Sequence, residues 1–137
     1  MTDYFDFRLS PEELGAVSNL GLAHIGDAVY DLLVRSWCLG SGKLTNERLH
    51  SETVRRVSAA AQSRAAERIG SLLTEEELAV FRRGRNTRVN SVPKHAEIGD
   101  YHAATGLECL FGWLYLRADR ARINELFSVI MEGETCR

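Results

Sequence analysis

Apolar positions along the chain recur at three- and four-residue steps, and no segment alternates apolar with polar as a half-buried strand does. The fold class this pattern predicts is all-α. Ser10, followed by Pro11 and Glu13, has the form of a helix start. It offers a capping hydroxyl, a proline suited to the first helical position, and an acid that can close a capping box. From about Leu20 to Leu39 the chain is apolar on nearly every face before it meets Gly40, a natural stop, so this stretch reads as a buried central helix. At about 1.5 Å per residue it crosses a small domain.

A third helix, capped by Thr45 or Asn46, is predicted to continue to about Ile69. Its apolar stripe is Leu49, Val54, Val57, Ala61 and Ala65, set against Arg55, Arg56, Arg64 and Glu67 on a solvated face. Thr74 with Glu77 forms a second capping box, Leu73 can staple to Leu78, and Gly84 marks the end of this short helix. Residues 86–96 show no periodicity and contain Pro93, which makes them a loop. A second buried helix runs from about Ile98 to Arg117, where Leu107, Leu110, Phe111, Trp113, Leu114 and Leu116 crowd around one acid. Asp119 then caps a closing amphipathic helix carrying Ile123, Leu126, Phe127 and Ile130.

A length of 137 residues suits a single domain, 1–137, and 45% apolar with 26% charged residues excludes disordered and fibrous classes. Acids stand in the Met1–Phe7 segment where a signal peptide needs bases, and no apolar run reaches membrane-spanning length. The expected compartment is the cytoplasm, with no membrane contact. Cys38, Cys109 and Cys136 are odd in number and share no metal-ligand spacing, which argues for reduced thiols over a disulfide framework or a zinc site. A net charge of −2 gives no global attraction for nucleic acid. Placement changes the picture, because Arg82, Arg83, Arg85, Arg88 and Lys94 accumulate without an intervening acid.

The candidate chemistry lies in two acids set in apolar helices. Asp27 lies between Ile25 and Val29, and Glu108 between Leu107 and Cys109. Burying an ionised carboxylate costs several kcal/mol, and two close together raise each other's pKa unless a cation intervenes. Compensation can come from a base such as Arg85, Arg35 or Lys94, from a proton, or from a divalent metal ion completed by water and phosphate, unless the acids simply face water from helices less buried than their neighbours suggest. Spacing leaves these open. Ala23, Asp27, Tyr30 and Asp31 share one helix face, as do Thr105, Glu108 and Gly112, so small residues flank each acid and leave room for an ion.

At these residues a family resemblance emerges. Ile25, Gly26, Asp27, Ala28 and Val29 resemble the signature helix of the ribonuclease III family. The run Leu107, Glu108, Cys109, Leu110, Phe111, Gly112, Trp113, Leu114 and Tyr115 resembles its second motif. Arg83, Gly84, Arg85 and Asn86, then Pro93 and Lys94, then Thr105 and Gly106 are similar to the pattern of the minimal Mini-III branch, so the resemblance covers roughly residues 20–117. Ala23 and Thr105 stand where full-length members carry a glutamate and an aspartate. Only Asp27 and Glu108 are therefore carried over as catalytic residues and metal ligands, with Asp31 as a supporting residue. The chain has no room for a separate double-stranded-RNA-binding domain.

The resemblance implies an endoribonuclease dependent on Mg2+, with Mn2+ able to substitute. It implies a homodimer that cuts both strands of double-stranded RNA, in bacteria typically a large-subunit (23S) ribosomal RNA precursor. Beside such a site, Arg83, Arg85, Asn86, Arg88 and Lys94 are candidates for RNA contact, since A-form RNA is held largely through phosphates and 2′-hydroxyls. Part of the Leu20–Leu39 helix is expected to form the dimer contact, because its apolar excess is more than a small domain can cover. Two other readings compete. A helical nucleotide pyrophosphohydrolase needs acids repeated at helical spacing, whereas Glu75, Glu76 and Glu77 are consecutive and suit a helix N-terminus. A non-catalytic ribonuclease III-like dimer binding structured RNA in ribosome assembly is marked by loss of either acid, and both acids are present.

Overall fold

The computed structural model describes residues 1–88 and 97–136. Lys94, Pro93 and His95 lie outside the described residues. Within them the chain forms α1 (Pro11–Gly15), α2 (Asn19–Gly40), α3 (Asn46–Val57), α4 (Ala59–Ile69), a 3-10 turn (Gly70–Leu72), α5 (Glu75–Arg85), α6 (Ile98–Leu116) and α7 (Arg120–Met131), with no strand among the described residues. Local chemistry sets the starts. Ser10 and Glu13 exchange hydrogen bonds as a capping box, as do Thr74 and Glu77, and the Asp119 carboxylate accepts from the Arg122 amide.

The long helix predicted to run to Ile69 is instead two helices broken at Ser58. That residue has extended backbone (φ −62, ψ 156), ends α3, and accepts a hydrogen bond from the Ala61 amide to start α4 in a new direction. The turn overturns the predicted stripe, leaving Val54 49% exposed and burying Arg56 to 5%. Burial of that guanidinium is compensated. Its Nη1 donates to the carbonyl and carboxylate of Glu52, its Nη2 donates to the Thr135 carbonyl, and it stacks over Trp37 at 4.7 Å. Gly84 is also not a stop. It sits inside α5, where a Cβ would lie 2.6 Å from the Cys109 sulfur, so its role is close packing of α5 on α6.

Helix α6 is the axle of the domain, and Leu107, Leu110, Phe111 and Leu114 on it are fully buried. Tyr30 meets Phe111 and Phe127 edge-on, with ring centroids 5.3 and 6.0 Å apart. Helix α2 presses Leu22, Ala23, Gly26, Tyr30, Val34 and Cys38 inward. Its other face is at the surface, with Leu32 61% exposed, which corrects the picture of a helix buried all round.

Candidate active site

The position of the two acids follows from two glycines. A Cβ on Gly26 would lie 1.6 Å from the backbone oxygen of Glu108, and one on Gly112 would lie 2.0 Å from the backbone oxygen of Leu22. The α2 and α6 backbones therefore touch at a crossing that only glycine permits. Asp27 follows one of these glycines and Glu108 lies one turn before the other, so the crossing sets the two carboxyls side by side.

Their environments differ. Asp27 is exposed, the alternative in which an acid faces water, because α2 turns that side away from α6 toward solvent. Desolvation falls on Glu108, which is half-buried and whose carboxyl is pushed up to about 8. Burial is the largest cause, followed by the negative charge of Asp27, with a hydrogen bond from Gln62 acting the other way. Of the bases considered from the sequence, Arg35 and Arg85 do not neutralise the pair, and Lys94 lies outside the described residues. Arg35 is bonded to Asp31 at 2.8 Å, and Arg85 lies over the Phe81 ring and donates to the Asn86 side chain. Asp31 is thereby engaged outside the pair.

Gln62 is the residue the sequence reading missed. It is 3% exposed on α4, and its Nε2 donates to Glu108 Oε2 at 3.3 Å and to the Val57 carbonyl at 3.0 Å. The amide orientation is fixed by chemistry, since a flip would set its oxygen against the Val57 carbonyl. Its Oε1 is buried without a partner. The available signal was a polar residue at core spacing, three, four and seven positions before Ala65, Ala66 and Ile69.

The basic segment is anchored to the same helix as Asp27. Asn19, at the start of α2, donates its Nδ2 to Thr87 Oγ1 at 2.9 Å and to the Arg83 carbonyl at 3.5 Å. Arg83 and Arg85 are exposed in the last turn of α5, Asn86 is its C-cap, and Arg88 is exposed just beyond. The charge of Arg83 reaches the thiol of Cys109, the neighbour of Glu108. That thiol is pushed up to about 11, chiefly by burial, and donates to the Asn19 carbonyl at 3.0 Å, which makes it a packing group and not a nucleophile. Thr105 spends its hydroxyl on the Tyr101 carbonyl, and Ala23 is buried.

Among the described residues no group of three or more histidine, cysteine or acidic side chains gathers. The donor set is thus the Asp27 and Glu108 pair, with no ion-paired base among the described residues, and such a pair fits a divalent cation that keeps several waters.

Over residues 20–119 the chain matches a family model described as the ribonuclease III domain. A Mini-ribonuclease 3 of Clostridium tetani is 40% identical over 125 residues, covering 90% of this chain and 83% of that one. One from Brevibacillus brevis is 40% identical over 134 residues, covering 93% of this chain and 100% of that one. The crystal structure of a Fusobacterium nucleatum protein is similar with a TM-score of 0.81 at 29% identity, covering 89% of this chain and 94% of that one.

Proposed function

The chain belongs to the ribonuclease III domain family and is an endoribonuclease, and from that premise we propose that it cuts double-stranded RNA as a homodimer, with a divalent cation held by Asp27 and Glu108. The observation that carries this reading is the glycine-enforced pairing of two carboxyls, one of them raised by burial and by the charge of the other, at a crossing with no neutralising base among the described residues. Mg2+ is the proposed ion, with Mn2+ as a substitute, since Mg2+ needs only one or two protein carboxylates. When bound, it supplies Lewis acidity toward a phosphate oxygen and a water of lowered pKa. The chain's residues do the rest. Asp27 and Glu108 hold the charge in place, Gln62 fixes the orientation of Glu108, and Arg83, Arg85, Asn86, Arg88 and Lys94 hold backbone phosphates and 2′-hydroxyls.

Dimerisation is argued from the outer face of α2. Ile25, Ala28 and Leu32, with Tyr4, Phe5 and Tyr115, line an apolar groove of about 410 Å³. An exposed apolar surface of this kind marks an association site. Asp27 lies on the helix between Ile25 and Ala28, so pairing this face with its copy brings two sites near one two-fold axis. Antiparallel strands need two sites of opposite sense, and a two-fold axis supplies them. The proposed natural substrate is a 23S ribosomal RNA precursor, met in the cytoplasm. Among the described residues no helix is long and apolar enough to cross a membrane.

End-labelled duplex RNA and a ribosomal RNA precursor, incubated with the purified protein and Mg2+, should each be cut on both strands, leaving a short 3′ overhang. Excess chelator should silence the reaction, and sedimentation should give a dimer at micromolar protein. Undiminished cleavage in chelator, or nicking of one strand by a monomer, contradicts the proposal. The Gln62 contact adds a separate prediction. Gln62→Leu keeps the volume but removes the donor, and should lower kcat by roughly 10- to 100-fold while raising the Mg2+ concentration for half-maximal cleavage. An unchanged Mg2+ requirement reduces Gln62 to a packing residue.

A further inference from the structure

A cavity of about 300 Å³ is lined by Arg55, Arg56, Arg64, Arg68 and a single carboxylate, Glu134. In a chain with 19 acids against 17 lysines and arginines, four guanidiniums around one cavity are a local excess of like charge. Their commitments differ. Arg56 is buried with its Nη1 and Nη2 tied to Glu52 and Thr135, while its Nε has no hydrogen-bond partner among the described residues. Glu134 approaches that same arginine at 3.4 Å. Arg55 reaches only the Glu52 oxygen that Arg56 already holds, at 3.8 Å, and is 61% exposed. Arg68 donates to the Glu132 carbonyl, which neutralises no charge. Arg64 makes neither an ion pair nor a side-chain hydrogen bond among the described residues.

The cavity's place gives this charge a use. Its wall includes Tyr30, one helical turn past Asp27 on α2, and Ala61, which precedes the Gln62 that holds Glu108. One turn is about 5.4 Å, so the backbone of one wall residue is close to that of Asp27, although the Tyr30 ring points inward and Asp27 faces solvent. Along α2, the α5 basic segment is fastened at Asn19 on one side of Asp27, and the arginine cavity opens at Tyr30 on the other. Basic groups thus stand on α5 toward the Asn19 end of α2 and on α3 and α4 around the cavity that Tyr30 lines.

We propose that this cavity is a second phosphate-binding site, in which Arg55, Arg64 and Arg68 hold backbone phosphate of the RNA strand flanking the scissile bond. The inference rests on the duplex-cleaving reading above. The same oxygen chemistry could come from a free anion such as pyrophosphate, and the experiment separates the two sources. Arg64→Ala, Arg64→Lys and Arg55→Ala/Arg64→Ala proteins are titrated against fluorescent duplex RNA at several salt concentrations, with Ca2+ replacing Mg2+. Wild-type protein is titrated in parallel with inorganic pyrophosphate.

The double variant should bind duplex about 5- to 10-fold more weakly at 0.1 M salt, with the slope of log K against log salt reduced by about 1 to 2. Arg64→Lys should keep most of that slope, because counterion release depends on charge. Melting temperatures of the alanine variants should hold or rise, since like charge is removed, which separates lost contact from lost fold. Wild-type affinity and slope in the double variant overturn the inference, as does tight pyrophosphate binding with duplex affinity unmoved by the substitutions. Wild-type protein that binds no duplex overturns the proposed function and this inference with it.

Discussion

Asp27→Asn and Glu108→Gln are each expected to lower duplex cleavage by roughly 10³-fold or more while leaving the helical fold intact. Each change keeps the size and shape of its side chain and removes the negative charge, so it strikes cation binding without opening a cavity. The fold should gain from the Glu108 change. In the folded protein Glu108 titrates near 8 against 4.5 in the unfolded chain, so its ionisation opposes folding. The sign follows directly. Below about pH 4.5 the carboxyl is neutral in both states and costs nothing. From there to about pH 8 the unfolded chain gives up a proton that the folded one retains, and stability falls; above about 8 the full cost is present. In chelator, Glu108→Gln should therefore melt at the wild-type temperature in acid and several degrees higher near pH 8. This gap is on the order of 1–2 kcal/mol, after discounting for the solvent that reaches a half-buried group. Saturating Mg2+ should narrow the gap by stabilising the wild-type pair. Full activity in either variant removes that residue from the site. A melting gap independent of pH removes the electrostatic account of Glu108.

How much of this was legible depended on the range of the interaction. Ser10, Thr74 and Asp119 announced their helices because a cap bonds only a few residues away, and the structure has those bonds. Ser58 did not. Its capping partner at the third position is the amide of Ala61, with no acid to complete a box, so the break looked like continuous helix. Arg56 and Val54 then exchanged environments with the change of direction. Gly84 near a helix end resembled a stop, and its packing role depends on Cys109, 25 positions away in sequence. The two acids stood out by their apolar surroundings, yet apolar neighbours could not separate core from exposed surface, and Asp27 is on the exposed side. Gln62 was invisible for the same reason in reverse. Its partner Glu108 is 46 residues away, and only the fold makes it more than one polar residue on a helix.

The crossing itself carries the other large expectation. Gly26→Ala and Gly112→Ala should each destabilise the protein by roughly 3 kcal/mol or more, enough to unfold a domain of ordinary stability or leave it insoluble. Helix propensity alone predicts the opposite, since alanine is favoured over glycine inside a helix by about 1 kcal/mol. Packing decides the sign. A methyl at position 26 meets the Glu108 carbonyl oxygen at 1.6 Å and the Gly112 amide at 2.9 Å, and one at position 112 meets the Leu22 carbonyl oxygen at 2.0 Å. These neighbours are backbone atoms of a packed helix pair, so relief requires α2 and α6 to move apart along their contact. That movement opens the Leu107, Leu110 and Phe111 core and separates Asp27 from Glu108, so any folded fraction should also lose cleavage. Gly99→Ala is the matched control. Position 99 is on α6 with no described residue within 4 Å of its added methyl, and the substitution should be neutral or stabilising by about 0.5 kcal/mol. Thermal melts of the three variants test the argument, and a Gly26→Ala protein that melts like wild type refutes backbone contact at the crossing and, with it, the origin proposed here for the carboxylate pair.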